Sequence, residues 1–537
     1  MALAHFRFSL RAVLLLAGVV TLTAPLTLAE KRAGRDTSSR PEVAKDLYFV
    51  AFRSGQTPDH ESVVATSGGL VRKRFPKLKT LSARLSAEQV SALERHPLVS
   101  YVESVPMRYP QNLSENQLTP ALTNGLYGLK TTYAVDVHSL GITGVGVNVG
   151  VADTGLDYTH PDIAPVYRGG IDTVGVGDSD PFWNNDPNET HGTHVAGTIL
   201  AANNSVGVLG VAPNANLYHA RVLGPNGGTS DDVMEGVEWL VEMGDCRIIN
   251  MSLGGGRFSR TENAFYKEMR AQGALVVAAS GNNGTDRLPH YPASYHSVTA
   301  VGAVDKNNVR ADFSNAFREL DVVAPGVGVL SSVPIGTGSE ASVTAGSSTF
   351  SATGMEFAGK TNGITQLLVN CGLGQPGECP ANVAGNIALI QRGSISFAEK
   401  VTNAMNAGAV GVIVYNNEPG ELVATLGTPT APGGGAWIPA VGVSDTTGAA
   451  LLSQVGTPVT LRNAVSNWDK YDGTSMATPH VSGVLALIWA ANPALSDTQV
   501  LDFLYNTTTD LGEPGIDSIY GRGIVNAAAA VALAQGN

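Results

Sequence analysis

Four short stretches of this sequence hold side chains that together can attack an amide carbonyl covalently. Near neutral pH such a reaction needs a nucleophile, a base to take its proton, an anion to orient the base, and donors for the oxygen that gathers charge. Asp153 follows Val-Gly-Val-Ala and precedes Thr-Gly, and His191 opens His-Gly-Thr-His-Val-Ala-Gly-Thr. Asn282 lies in Ala-Ala-Ser-Gly-Asn-Asn-Gly, and Ser475 in Gly-Thr-Ser-Met-Ala-Thr-Pro-His-Val-Ser-Gly. Alone, each has a plainer explanation: an Asp after a strand forms turns, a His near a helix start packs or caps, and a Ser there caps. Filling every role in one chain is what those explanations leave unaccounted for.

The surrounding pattern supplies elements that can position them. Residues 145–152 set Val145, Val147, Val149 and Val151 on one face of a strand, with Asp153 at its carboxyl end, the edge where open α/β sheets gather ligands. Residues 274–279 are wholly apolar and 298–304 nearly so, as in strands buried on both faces. Between them, residues 230–243 read as a helix with Asp231 and Asp232 in its first turn and Val233, Val237, Leu240 and Val241 on one side. This alternation predicts a parallel sheet between helices. Small residues Gly192, Ala196 and Gly197 let the His191 helix approach it closely. Ser475 begins a long apolar helix, whose partly positive start and own N–H suit an oxyanion, and Asn282, ending another buried strand, supplies a second donor. Pro479 is expected to be tolerated near the helix start, where N–H groups are in excess. His194 and His480 are expected to pack rather than react.

Two regions depart from that pattern. Residues 46–105 predict a small α+β domain: a capping box at Ser86 and Gln89 opens a helix bearing Val90, Leu93 and His96, with strands near 48–52, 81–85 and 100–105. A flexible polar stretch, 110–120, follows. Residues 341–462 have their own core, with strands at 387–390 and 410–415 and a helix at 397–407 that turns Phe397, Val401, Ala404 and Met405 inward. They contain no His and no compact group of titratable residues, so a catalytic site is not expected there. The chain ends in helices, one at 497–506.

Composition narrows the classes. The 537 residues are 43% hydrophobic, enough for several folding units, and only 15% charged with 62 Gly, which fits a compact extracellular protein. Through Arg108 there are 16 Lys and Arg against 9 Asp and Glu; beyond it, 18 against 37. An acidic body excludes nucleic acid as its partner and favours docking of a basic leading segment. Arg7 and Arg11, an apolar run over 12–24 and small residues before Glu30 have the layout of a secretory signal peptide, too short to span a bilayer easily. No other stretch reads as membrane-spanning, so none holds the protein in a membrane once residues 1–29 are removed. Three Cys make no disulfide scaffold, but export favours a bridge between Cys371 and Cys379, eight apart, while Cys246 lies in an apolar run as an inert thiol.

The Asp153, His191 and Ser475 motifs, with Asn282, resemble those of the subtilisin-like serine proteases, the subtilases, and the likeness covers most of the chain. It implies a three-layer α/β/α catalytic domain with a mostly parallel sheet over 120–537 and a secreted serine endopeptidase, monomeric, acting on proteins and peptides. Asp153 would orient His191, His191 would take the proton of Ser475, and Asn282 with the Ser475 N–H would hold the oxyanion. Ser252, Leu253, Gly254 and Gly255 look like the family's substrate-binding strand. Residues 46–105, within a propeptide of 30–109, are similar to the inhibitory I9-type prodomain, a chaperone and inhibitor of its own enzyme in an autoprocessed zymogen. Residues 341–462 resemble an inserted protease-associated (PA) domain, best over 385–417. The loop 202–213 looks like the family's calcium loop, where Asp162, Asn204 and the carbonyls of Ala202, Val206 and Val208 would bind a structural ion; no catalytic cofactor is implied. Thr190 stands where the family commonly has Gly, which would tighten that turn. A lipase-type hydrolase needs the order Ser, acid, His and a Gly-x-Ser-x-Gly elbow, neither of which is present, and an inactive relative would not keep all four positions.

Overall fold

The computed structural model describes residues 40–53, 59–111, 126–175, 179–183, 189–285, 287–422 and 424–536; the signal-peptide expectation for 1–29 lies outside them. The first unit comprises β1 (Val43–Phe52), α1 (His60–Thr66), β2 (Leu70–Phe75), β3 (Thr80–Arg84), α2 (Ala87–Glu94) and β4 (Val99–Pro110). Both halves of the Ser86–Gln89 capping box form at α2. Successive residues of β1 point to opposite faces of its antiparallel sheet. Val50 and Phe52 pack with Val64 and Leu93 beneath α1 and α2, while Leu47 and Phe49 face away and join the core of the next unit.

That next unit, the body, is built on a seven-stranded sheet in the order β13-β12-β11-β9-β5-β7-β6, parallel at every pairing. Its strands are β5 (Asn148–Asp153), β6 (Tyr167–Asp172), β7 (Asn216–Arg221), β9 (Ile248–Met251), β11 (Leu275–Ala279), β12 (Val298–Val304) and β13 (Val322–Pro325). Two-residue strands β8 (Gly228–Thr229) and β10 (Leu253–Gly254) stand apart from it. One face of the sheet packs under α3 (Tyr127–Thr131), α4 (Ala134–Ser139), α5 (His191–Leu200), α10 (Thr474–Ala491), α11 (Asp497–Asn506) and α12 (Ala527–Ala534), with Val149 and Val151 in that core. The other packs under α6 (Ser230–Glu242) and α7 (Arg260–Ala271), with Ala152, Ile249 and Met251. This is the expected three-layer α/β/α architecture. A Cβ at Gly150 would come 3.1 Å from Leu240, so the glycine is what lets α6 lie this close. The predicted strand begins too early: Val145 lies in the turn before β5 and is 66% exposed, because the alternation of valines continues past the point where sheet pairing starts.

The inserted unit begins after β14 (Val329–Ser332) and ends before β23 (Trp468–Tyr471), which pair antiparallel as a ribbon at its base. It contains β15 (Gly338–Ala345), β16 (Ser348–Ser351), β17 (Thr353–Gly354), β18 (Thr361–Asn370), β19 (Ile387–Gln391), α8 (Phe397–Asn406), β20 (Gly411–Tyr415), β21 (Ala440–Val443), α9 (Asp445–Leu452) and β22 (Pro458–Ser466). The strands form one sheet, β16-β15-β22-β18-β19-β20-β21-β17, with a core on each face. Cys371 and Cys379 are disulfide-bonded in it.

Candidate active site

Asp153 ends β5, His191 opens α5 and Ser475 is the second residue of α10, so three carboxyl-edge positions converge although 38 residues separate the first two and the third is far along the chain. His191 Nδ1 lies 2.6 Å from Asp153 Oδ1, which also accepts the Thr154 N–H at 2.7 Å. Asp153 and Ser475 are fully buried and His191 is 2% exposed. Ser475 Oγ does not meet the imidazole; it donates to Ser252 O at 2.8 Å. Asn282 accepts the N–H and hydroxyl of Thr474 on its Oδ1, both at 2.9 Å, which turns its Nδ2 outward. Asp153 Oδ2, His191 Nε2 and Asn282 Nδ2 are buried and have no partner among the described residues. Unsatisfied buried polar atoms are costly and rare, so these three mark a place suited to a reacting group.

Nearby residues explain how the arrangement holds. Pro479 sits six residues into α10, too deep for the excess-donor argument; the Ser475 carbonyl that its missing N–H would have satisfied accepts Ser252 Oγ instead, at 2.8 Å. Thr190 keeps an ordinary φ of −78° and its hydroxyl bonds the Tyr471 phenol at 2.7 Å, so the side chain ties the His191 turn to β23 without backbone strain. His194 bonds the Val329 carbonyl and stacks on Tyr471, and His480 bonds the Met476 carbonyl. Burial lowers their pKa values to about 3 and about 4, and does the same to His219, about 4, behind Thr154.

The cleft is filled by the chain itself. Strand β4 continues past the predicted end at Val105 and runs between β8 and β10, pairing Met107 with Thr229, Arg108 with Gly228, Tyr109 with Gly254 and Pro110 with Leu253. Gln111 N–H donates to Ser252 O at 3.2 Å, and the Gln111 carbonyl accepts the Ser475 N–H at 3.2 Å. Of the expected strand, Ser252, Leu253 and Gly254 pair with this extended segment in the manner of β-augmentation, while Gly255 exchanges both backbone bonds with Tyr291. A Cβ on Gly227 would fall 2.5 Å from the Tyr109 ring, so this wall tolerates no side chain. Residues 107–111 were not singled out in the sequence, where the expected strand ends at 105 and 110–120 read as a flexible polar stretch; their pairing partners lie over a hundred residues away.

Charge holds the leading unit over the cleft. Arg72 bonds Asp231 and Asp232 at 2.6 Å, and Lys73 bonds Asp232 and Glu235. Glu103 accepts Ser259 Oγ and Thr261 N–H at 2.8 Å and the Arg260 N–H at 3.2 Å, placing a carboxylate at the positive start of α7. Arg72, Lys73, Lys77 and Arg108 are thus leading-segment cations that meet carboxylates of the body.

The calcium-loop residues also gather. Asn204 Nδ2 meets Asp162 Oδ1 at 3.2 Å, and the Ala202 N–H meets the Asp162 carbonyl. Asp162 Oδ2, however, accepts Val208 N–H at 3.2 Å, Ser332 Oγ at 3.0 Å and Trp468 Nε1 at 2.7 Å, and Asn204 Oδ1 accepts the Val206 N–H at 2.9 Å. Oδ2 thus holds three donors and Oδ1 one. As placed, the side-chain oxygens of Asp162 and Asn204 face donors, an arrangement that does not fit a calcium ion between them. No cluster of three or more His, Cys, Asp or Glu suited to a metal occurs among the described residues. Nor is any described helix long and apolar enough to cross a membrane.

The comparisons agree with this geometry. The subtilase family model matches residues 144–358 and the PA domain model residues 352–451. Subtilisin E of Bacillus subtilis (strain 168) is 37% identical over 326 residues, 59% of this chain and 80% of that protein. An alkaline protease of Alkalihalobacillus alcalophilus is 42% identical over 311 residues, 55% of this chain and 77% of that protein. The crystal structure of Apa1, a psychrophilic subtilisin-like protease from Pseudoalteromonas sp. AS-11, is 32% identical with a TM-score of 0.58, covering 76% of this chain and 97% of its own. Fervidolysin from Fervidobacterium pennivorans, at 23% identity, a TM-score of 0.59 and coverage of 91% of this chain and 61% of its own, shares the fold. Motifs, sheet and relatives together make the chain a member of the subtilase family, a serine endopeptidase with an inserted PA domain.

Proposed function

We propose that the protein is made as an inhibited precursor and cuts itself after Gln111 to release a secreted endopeptidase. The observation that carries this is the Gln111 carbonyl, hydrogen-bonded to the Ser475 N–H. A carbonyl so held lies next to the nucleophile and points at an oxyanion donor, as a scissile carbonyl must. Rotation of the Ser475 side chain away from Ser252 O brings its hydroxyl toward His191 Nε2, which is unpartnered and takes the proton as Oγ attacks. Asp153, bonded to Nδ1, fixes the tautomer and steadies the imidazolium. The Ser475 N–H and the free Nδ2 of Asn282 receive the oxyanion. His191 then protonates the leaving amine, and water, activated by the same imidazole, releases the acyl-enzyme.

On this reading residues 1–29 direct export, residues 30–111 act as intramolecular chaperone and inhibitor, and the substrates of the mature enzyme are proteins and peptides that add a strand between β8 and β10. The prodomain inhibits because its last residues stay paired with both cleft walls after the cut, held by the Arg72 and Lys73 ion pairs. The calcium loop has no part in the mechanism. N-terminal mass spectrometry of the secreted protein is the test: the parent starts at Asn112, while Ser475→Ala remains a full precursor. Ser475→Ala protein cut at the same bond would show that another protease matures it.

A further inference from the structure

With cleavage after Gln111, the proposed reading on which this rests, the residues just before the cut display what the cleft reads in a substrate. Most side chains of the inserted strand are only partly covered, but Arg108, four residues before and including the cut, is fully buried, as is its partner Glu262. Arg108 Nε bonds Glu262 Oε1 at 3.1 Å and one terminal nitrogen bonds Oε2, a bidentate fork; the same nitrogen reaches the Arg257 carbonyl at 3.1 Å. Glu262 belongs to the body, near the start of α7, where Tyr295 donates its phenol to Oε2 at 2.9 Å and the Ser259 cap fixes the backbone. Tyr266 and His290 wall the pocket, and burial keeps His290 neutral with a pKa near 3. Among the described residues Glu262 has no other cation.

We propose that this pocket selects arginine at the fourth residue before the scissile bond, with Glu262 as the specificity-determining residue. The β8 and β10 ladders set the register of any peptide in the cleft, so every substrate must place a side chain where Arg108 now lies. An aliphatic side chain there shuts Glu262 away from water with no countercharge, which is far more costly than a missed contact. Lysine offers one point charge, and cannot fill both carboxylate oxygens and the Arg257 carbonyl in a fixed plane. The order expected is arginine, then lysine, then uncharged residues.

The mature parent is given a set of internally quenched peptides built on Met-Arg-Tyr-Pro-Gln-Asn, with Arg, Lys, Gln or Leu at the second position, and a heat-unfolded protein whose cut sites are mapped. Arginine is expected to exceed leucine in kcat/KM by on the order of 10²-fold, and to be enriched at that position among the mapped cuts. Glu262→Gln should collapse the Arg-to-Leu ratio to within about threefold, and Glu262→Arg should take it below one. Equal rates for Arg and Leu peptides in the parent, with no enrichment among its cuts, would overturn the pocket while leaving the protease reading intact. Cuts in the unfolded protein that persist in Ser475→Ala would instead overturn the protease reading. The parent ratio and cut map need no variant, so a misfolded Glu262 substitution does not shield the proposal.

Discussion

The body and the insertion are both layered α/β units of one chain, yet the body gathers unpartnered buried polar atoms around one cleft, whereas the two among the insertion's described residues, Thr402 Oγ1 and Arg462 Nε, belong to no such cluster of carboxylate, imidazole and amide. In the body, Asp153 Oδ2, His191 Nε2 and Asn282 Nδ2 are left without partners around one cleft. In the insertion, buried polar side chains are turned on its own loops: Lys400 donates to the Leu373 and Gly393 carbonyls, and Asn416 to the Gly420 and Glu421 carbonyls. The body also buries histidines, and residues 341–462 have none. A polar group whose bonds are complete stabilises a fold; one held incomplete is available to a substrate. The comparison explains why chemistry belongs to one unit, and why the other tolerates being set between His191 and Ser475 in sequence.

Acid should separate the two units most strongly. His194, His219 and His480 have folded pKa values of about 3 to 4, below the 6.5 of an unfolded histidine. The native body therefore binds fewer protons than the unfolded chain below pH 6.5. Its stability is complete above that pH and falls as pH descends toward about 4, by up to about 1.4 kcal/mol per pH unit for each histidine. Hydrogen exchange on the mature Ser475→Ala protein, prepared by cleavage in trans, should show the body's strands losing protection by pH 4.5 while β19 and β20 keep theirs. Equal loss in both units would erase the contrast.

A smaller but local effect concerns the unpartnered amide. Asn282→Leu should lower kcat about 10²–10³-fold with little change in KM, a magnitude that comes from this family's own enzymes. The same readout on Asn416→Leu in the insertion should move kcat little. An unchanged kcat for Asn282→Leu would mean that its Nδ2 does not serve the oxyanion.

The smallest effect is expected from removing the insertion. Ala341 pairs with Asn463 and Ser342 with Arg462 across the β15–β22 ladder, so the ends exposed by deleting 341–462 are neighbours that a short Gly/Ser linker can join. Hydrolysis of short peptides should stay within about threefold of the parent, and the rate or pattern on folded proteins should change. A collapse of both activities in a protein that is still folded would show that the insertion supports the site itself.

How much of this was legible depends on how far apart the interacting residues are. The α2 capping box, strands β11 and β12 and helices α6, α8 and α11 could be read closely because caps and burial periods are written in neighbouring residues. Val145 misled because its alternation is local while the start of pairing is not. The tail of β4 was hidden for the reverse reason: two prolines argue against a strand, but Pro106 stands just before the stretch 107–110 that pairs with β8 and β10, and Pro110 is its last residue. The calcium loop was recognisable as a loop, yet two of the three donors on Asp162 Oδ2 come from Ser332 and Trp468, residues on the ribbon at the base of the insertion.

By itself, then, the amino-acid order determined the candidate reacting side chains, the sheet with helices on both faces, the separate core of the insertion, and a basic leading segment ahead of an acidic body, since these follow from residue type, spacing and charge. Only the tertiary structure decided that the Gln111 carbonyl meets the Ser475 N–H and that Arg108 reaches Glu262, 154 residues away. Both contacts depend on the register in which β4 enters between β8 and β10, and register is set by long-range ladders and pocket shape that no local pattern encodes.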